Sequence, residues 1–206
     1  MYIKNPMEIE NKSMALIDEV MGDTSFTKEE KLVAKRMIHT TGDLDYRNII
    51  EFKYGFIEEA KKAILEGKTI FTDTKMAYMG INKPALKKAN CQLKCFIDDE
   101  RVFSLSKELG TTRSACAVDL AVREGIDIFV IGNAPTALFR LLELFKEGKV
   151  NPRFIVGVPV GFVGAQESKE YLRQFSIPSI STVGNKGGSN VSASIINALL
   201  YMVVGR

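Results

Sequence analysis

Cysteine and histidine are scarce in this sequence. Cys91, Cys95, Cys116 and a single histidine, His39, are all it holds in 206 residues. An odd, sparse set of cysteines argues against a disulfide framework and for a reducing compartment. Cys91 and Cys95 do not form a Cys-x-x-Cys pair, and one histidine leaves a structural zinc site short of ligands, so neither a metal nor a cofactor is expected. An excess of one charge is also lacking: 28 Lys and Arg face 25 Asp and Glu, a formal net charge of +3. The cations are spread along the chain with no basic stripe interleaved with aromatics, which argues against nucleic acid and is compatible with an acidic small molecule. Residues 1–12 are polar and lack an apolar run, so no secretory leader is expected. The long uncharged run at residues 187–205 is interrupted by Ser189, Asn190, Ser192, Ser194 and Asn197, so a buried helix is expected there, not a membrane span. The protein is expected to be cytoplasmic.

Nucleotide motifs are missing as well. Gly67-Lys68-Thr69 resembles the tail of a P-loop, but Lys62 stands where the first glycine is needed. Gly157, Gly161 and Gly164 do not give G-x-G-x-x-G.

What is present is regular. A content of 46% hydrophobic and 26% charged residues is ordinary for a globular protein, and the length predicts one domain over 1–206. Short apolar runs at 69–73, 92–97, 127–132, 153–159 and 179–183 read as strands. Amphipathic stretches at 7–21, 56–66, 111–124, 136–146, 165–175 and from 189 onward read as helices, with shorter turns of helix at 75–80 and 84–89. A further short strand is expected at 48–54. Apolar strands alternating with such helices predict an α/β fold, a mostly parallel sheet with helices on both faces in a Rossmann-like three-layer sandwich. Ligands of such sheets bind beyond the carboxyl ends of the strands, which directs attention to the loops after Asp73, Ile97, Ile131, Pro159 and Val183.

The stretch Arg36-Met37-Ile38-His39-Thr40-Thr41-Gly42-Asp43 carries the chemistry. Thr27 and Glu30 form a capping box that starts a helix, and Gly42 is its stop. Leu32, Arg36 and His39 then share one face. The carbonyl end of the helix favours a charged imidazole, and Arg36 suits carboxylates. A protonated histidine beside an arginine fits a general acid facing an anionic substrate, although a lone histidine taken by itself is more often a surface or satisfied core residue. A second cue is Gly184-Asn185-Lys186-Gly187-Gly188-Ser189. Here Gly187 and Gly188 would let the backbone approach a ligand, Ser189 would cap the next helix, and Lys186 would add charge to an anion site at the helix start.

Taken together the segments resemble one family along nearly the whole chain. Pro6-x-x-Ile9-x-x-x-Ser13, the Arg36–Asp43 stretch, Thr112-Arg113-Ser114-Ala115, Gly132-Asn133-Ala134-Pro135-Thr136-Ala137-Leu138, Pro159–Ala165 and Lys186-Gly187-Gly188-Ser189 occur in the order seen in precorrin-8X (cobalt-precorrin-8) methylmutases of vitamin B12 biosynthesis. The resemblance implies an isomerase that moves a methyl group between adjacent ring-C carbons of a corrinoid polycarboxylate, giving hydrogenobyrinic or cobyrinic acid. It implies His39 as the acid acting on a ring nitrogen. Ser13, Arg36 and Arg113 belong to the substrate pocket on the same ground. Asn82 joins them at a position where the family often has threonine. A homodimer is implied by the family alone. A non-catalytic corrinoid carrier is the competing reading: it would keep the carboxylate-binding loops and have no use for a protonated histidine.

Overall fold

The strands form because their residues have nowhere better to go than a sheet buried on both sides. Ile128–Ile131, read Ile-Phe-Val-Ile, is fully buried, as is Phe154–Gly157. The computed structural model describes residues 2–206. In chain order it contains α1 (Pro6–Met21), α2 (Lys28–Thr41), α3 (Tyr46–Ile49), β1 (Ile50–Lys53), α4 (Phe56–Leu65), β2 (Thr69–Thr72), α5 (Lys75–Gly80), α6 (Lys83–Lys88) and β3 (Gln92–Lys94). There follow α7 (Glu100–Leu109), α8 (Arg113–Arg123), β4 (Ile128–Ile131), α9 (Pro135–Lys146), β5 (Phe154–Gly157), α10 (Ala165–Leu172), β6 (Ser179–Thr182) and α11 (Ser189–Val204).

The six strands lie in the order β1-β6-β5-β4-β2-β3. All neighbours are parallel except β1, which pairs antiparallel with β6 at one edge, Ile50 opposite Thr182. Side chains alternate across the sheet as the pleat requires. Ile70, Ile128, Val130, Phe154, Val156 and Ile180 join one core with α2, α4, α6 and α11. Phe71, Phe129, Ile131 and Ile155 join the other with α7, α8, α9 and α10. The expected three-layer α/β sandwich is therefore the observed one. Its boundaries differ in places. The strand expected over 92–97 stops at Lys94. Helix α7 was not foreseen, because its sequence Glu-Arg-Val-Phe-Ser-Leu-Ser-Lys-Glu-Leu buries only Val102.

Helix α11 is the pillar of the fold. Ten of its 16 residues are buried, Val191, Ile195, Ile196 and Leu199 among them. Small residues let it lie close to its neighbours: a side chain at Gly80 would meet the Ala193 methyl at 2.9 Å. Helix α2 packs along it, with Arg36 beside Tyr201 and, beyond the far end of α2, Asp43 beside Lys186, so the two helices run antiparallel.

Candidate functional site

The sheet reverses its winding between β2 and β4, the place where open α/β sheets usually leave a ligand crevice. Here the chain fills that crevice itself. The buried Asp73 carboxylate accepts hydrogen bonds from the backbone N–H groups of Gly132 (3.0 Å), Asn133 (2.8 Å) and Ala134 (2.8 Å). Burial pushes this carboxyl up, and the three amides oppose the shift by favouring the charged form. Thr74 caps α5 and also pairs with Ser189, Oγ1 to Oγ 2.8 Å. A Cβ at Gly132 would strike the Ser192 hydroxyl at 2.5 Å and the Gly188 carbonyl at 2.9 Å, so the start of α11 sits directly on the β4 turn.

The histidine lies to one side of this crest. The capping box forms as expected: Thr27 Oγ1 accepts from the Glu30 N–H and Glu30 from the Thr27 N–H. Gly42 closes α2 in the left-handed conformation. His39 is thus held in the last turn, exposed, and its Nδ1 is 2.8 Å from the Ser13 hydroxyl of α1. One turn earlier on the same face, Arg36 pairs with Glu10 of α1 at 2.6 Å and lies 5.1 Å from the Tyr201 ring centre. One turn in the other direction on α1, Asp18 pairs with Lys31 and Lys35. Helices α1 and α2 are therefore joined by polar rungs, and Ser13–His39 is one of them. Beside Arg36 a groove of about 200 Å³ opens between Met14, Leu32, Tyr201 and Met202.

The other expected residues divide. Arg113 begins α8, is exposed, has no carboxylate partner among the described residues, and stacks 4.8 Å from the centre of the Phe103 ring. Asn82 is fixed by structure: its side chain accepts from the Ala85 N–H to cap α6 and donates to the Tyr201 hydroxyl. It belongs to the Arg36–Tyr201 end of α11, about 18 Å of helix from Ser189 by the usual rise per residue.

At the 184–189 turn the expectations need correction. Lys186 is not a free cation, because its ammonium donates to Asp43 (2.6 Å) and Asp45 (2.8 Å). Those bonds push the lysine up and hold the Asp43 carboxyl below the usual carboxylate range. Ser189 does not cap α11; Gly188 stands at the cap position and no side chain caps the helix. Gly187 is required first for chain packing, since a Cβ there would lie 2.1 Å from the Val158 carbonyl oxygen. The Gly188 N–H donates to that same carbonyl at 2.9 Å. The Gly187 carbonyl accepts from Tyr46.

Several residues of this region were invisible to sequence reasoning. Glu10, Tyr46, Tyr201 and Lys169 carry no motif. Asp73 did have a signal, an acid closing an apolar strand at its carboxyl end.

The family model described as precorrin-8X methylmutase matches residues 8–202. The cobalt-precorrin-8 methylmutase of Salmonella typhimurium is 44% identical over 207 residues, covering 97% of both chains. The precorrin-8X methylmutase of a Sinorhizobium species is 36% identical, covering 96% of this chain and 95% of its own. Among solved structures, that of precorrin-8x methyl mutase from Thermus thermophilus superposes with a TM-score of 0.91 at 33% identity, covering 96% of each chain. With the sheet, the sequence motifs and these matches in agreement, the chain belongs to the precorrin-8X methylmutase family, isomerases of cobalamin biosynthesis that move a methyl group within their substrate.

Proposed function

We propose that His39 is the general acid of this methylmutase, protonating a ring nitrogen of a corrinoid polycarboxylate so that a methyl group shifts to the adjacent ring-C carbon. The observation that carries the reading is the Ser13–His39 contact on an exposed helix end. With Nδ1 turned to Ser13, the ring orientation is fixed and Nε2 is left for the substrate. In the charged imidazole, Nδ1–H donates to the serine hydroxyl and Nε2–H is the proton given away. Protonation makes the conjugated ring electron-poor and eases the migration, and regained conjugation drives it forward. General acid help contributes about a hundred to ten-thousand-fold, and holding the ring in a reactive shape supplies the rest.

The carboxylates of the substrate would be received by Arg113, by Arg36 in exchange for its Glu10 partner, and by the Gly187–Ser189 turn at the uncapped start of α11. A homodimer is part of the reading. Met7, Ile9, Leu16 and Val20 on α1 are exposed apolar side chains beside the site. The groove of about 200 Å³ next to Arg36 is small against the roughly 300–1,000 Å³ of ordinary ligand pockets, and a second copy would complete it. The more similar relatives are named for the cobalt substrate, which favours cobalt-precorrin-8 as the form used. The free cysteines fit a reducing cytoplasm.

The test is a visible-absorbance assay of the wild type and His39→Ala on cobalt-precorrin-8 and its metal-free counterpart. The variant should lose about a hundred to ten-thousand-fold in turnover while still holding cobyrinic acid. Wild-type turnover by the variant, or no conversion of either substrate by the wild type, would end the proposal.

A further inference from the structure

A buried cation with no anion partner among the described residues lies under the 182–188 turn. Lys169 of α10 is completely buried. Its ammonium donates to the Thr182 hydroxyl at 3.0 Å and to the Lys186 carbonyl at 2.9 Å, and the same carbonyl accepts from Thr182 Oγ1 at 2.6 Å. Beside it, Arg173 donates to the Ser181 hydroxyl and the Thr182 carbonyl. Neither cation forms a salt bridge among the described residues. Burial and the neighbouring Arg173 pull Lys169 down to about 8, so near neutral pH it keeps its proton with only neutral acceptors around it.

That arrangement is costly. An uncompensated buried charge is among the least favourable features a fold can carry, and a methionine of similar length would avoid it. The turn also keeps an unspent donor. The Lys186 carbonyl takes two hydrogen bonds, one from a charged group, and such bonds polarise the peptide that accepts them. The amide on the other side of that trans peptide is the Gly187 N–H, which points away from Lys169 and has no acceptor among the described residues. Two residues further on, α11 begins without a side-chain cap.

We infer that Lys169 is a positioning residue for the substrate: it clamps and polarises the Lys186–Gly187 peptide so that the Gly187 N–H and the start of α11 receive a substrate carboxylate, which supplies the missing counter-charge. Lys186 then acts through its main chain, and its side chain, neutralised by Asp43 and Asp45, serves to pin the turn to the end of α2. This inference rests on the proposal that the 187–189 turn takes a carboxylate of the corrinoid.

The experiment compares the wild type with Lys169→Gln, which keeps a donor without charge, and Lys169→Met, which keeps neither. Thr182→Val is included because it removes one donor at little change in shape. Each is checked for folding by circular dichroism, then titrated with cobyrinic acid by visible absorbance and assayed for kcat and KM. The glutamine variant should weaken Kd and KM by about tenfold and the methionine variant by more, with kcat nearly unchanged; Thr182→Val should weaken them by about threefold. Folded Lys169 variants with wild-type Kd would overturn the inference, and so would full recovery in Lys169→Gln, because the charge would then be idle. If neither lysine variant folds, an unchanged Kd in Thr182→Val overturns it. A wild type that does not bind cobyrinic acid removes the carboxylate reading itself, and that failure is seen before any variant is measured.

Discussion

Helices α1 and α11 each have 16 residues and are held by opposite means. Helix α1 buries one of them, Met21, and leaves Met7, Ile9, Leu16 and Val20 exposed. Its attachment to α2 is largely polar, Glu10 to Arg36, Ser13 to His39 and Asp18 to Lys31 and Lys35, with Ile17 packed against the core. Helix α11 buries ten residues and is fitted to β4 and β5 so closely that Gly132 and Gly187 have no room for a methyl group. The proposed site takes Ser13, the partner of His39, from the first and the turn at the start of the helix from the second. One half is loosely packed and the other tightly packed, and tight packing is what preorganised dipoles need for electrostatic recognition.

The contrast can be broken at the rigid end first. Asp73→Asn keeps the shape but replaces a buried acceptor of three amides with a group that presents its own N–H. It should cost about 3 kcal/mol, seen as a fall of roughly 6–12 °C in the melting temperature. A melting point within experimental error of the wild type would mean that the crest is held by packing alone. Gly187→Ala comes next. Overpacking against the Val158 carbonyl should cost about 1–3 kcal/mol and weaken cobyrinic acid binding, whereas Leu16→Ala on α1 should shift the single chain's stability by no more than about 0.5 kcal/mol. Equal losses in a denaturant titration would erase the distinction between the two helices.

Ser13→Ala sharpens the comparison at the loose end. Removing a hydrogen bond to a group that carries charge in the reaction should slow turnover by about tenfold and leave product affinity alone. If affinity falls and kcat does not, Ser13 binds substrate and does not orient His39. The smallest effect is expected from acid. Lys186 holds the Asp43 carboxyl below the usual range, so the pair's contribution is complete above the unfolded carboxylate value of about 4 and fades as pH falls through the lower folded value. The difference in urea midpoint between wild type and Asp43→Asn should therefore be present at neutral pH and close in acid. The pair is exposed, so the gap is small and shrinks with salt; a gap independent of pH would show that the contact does not stabilise the turn.

Much of the fold was legible because local rules sufficed. The Thr27–Glu30 capping box and the Gly42 stop describe α2 correctly from its residues. The two-sided apolar strands imply helices on both faces, and the sheet has them. Helix α7 was not legible, since a helix that buries one residue has little periodicity to read. The candidate site was legible only in part. Ser13 and His39, 26 positions apart, meet through the packing of α1 on α2. Lys186 looked like a free cation because nothing local shows that Asp43 and Asp45 reach it from the end of α2. Nothing in the amphipathic run around Lys169 marks it as buried, yet it is.

The order of residues by itself determined most of the helices and strands and that a histidine lies in the last turn of α2, because hydrogen-bond caps and side-chain periodicity act over a few positions. Which charges are already satisfied was decided by tertiary structure alone. A cation's partner depends on how elements far apart in the chain are brought together, and that is how Arg36 and Lys186 come to be neutralised while, among the described residues, Arg113 and Lys169 have no anion partner.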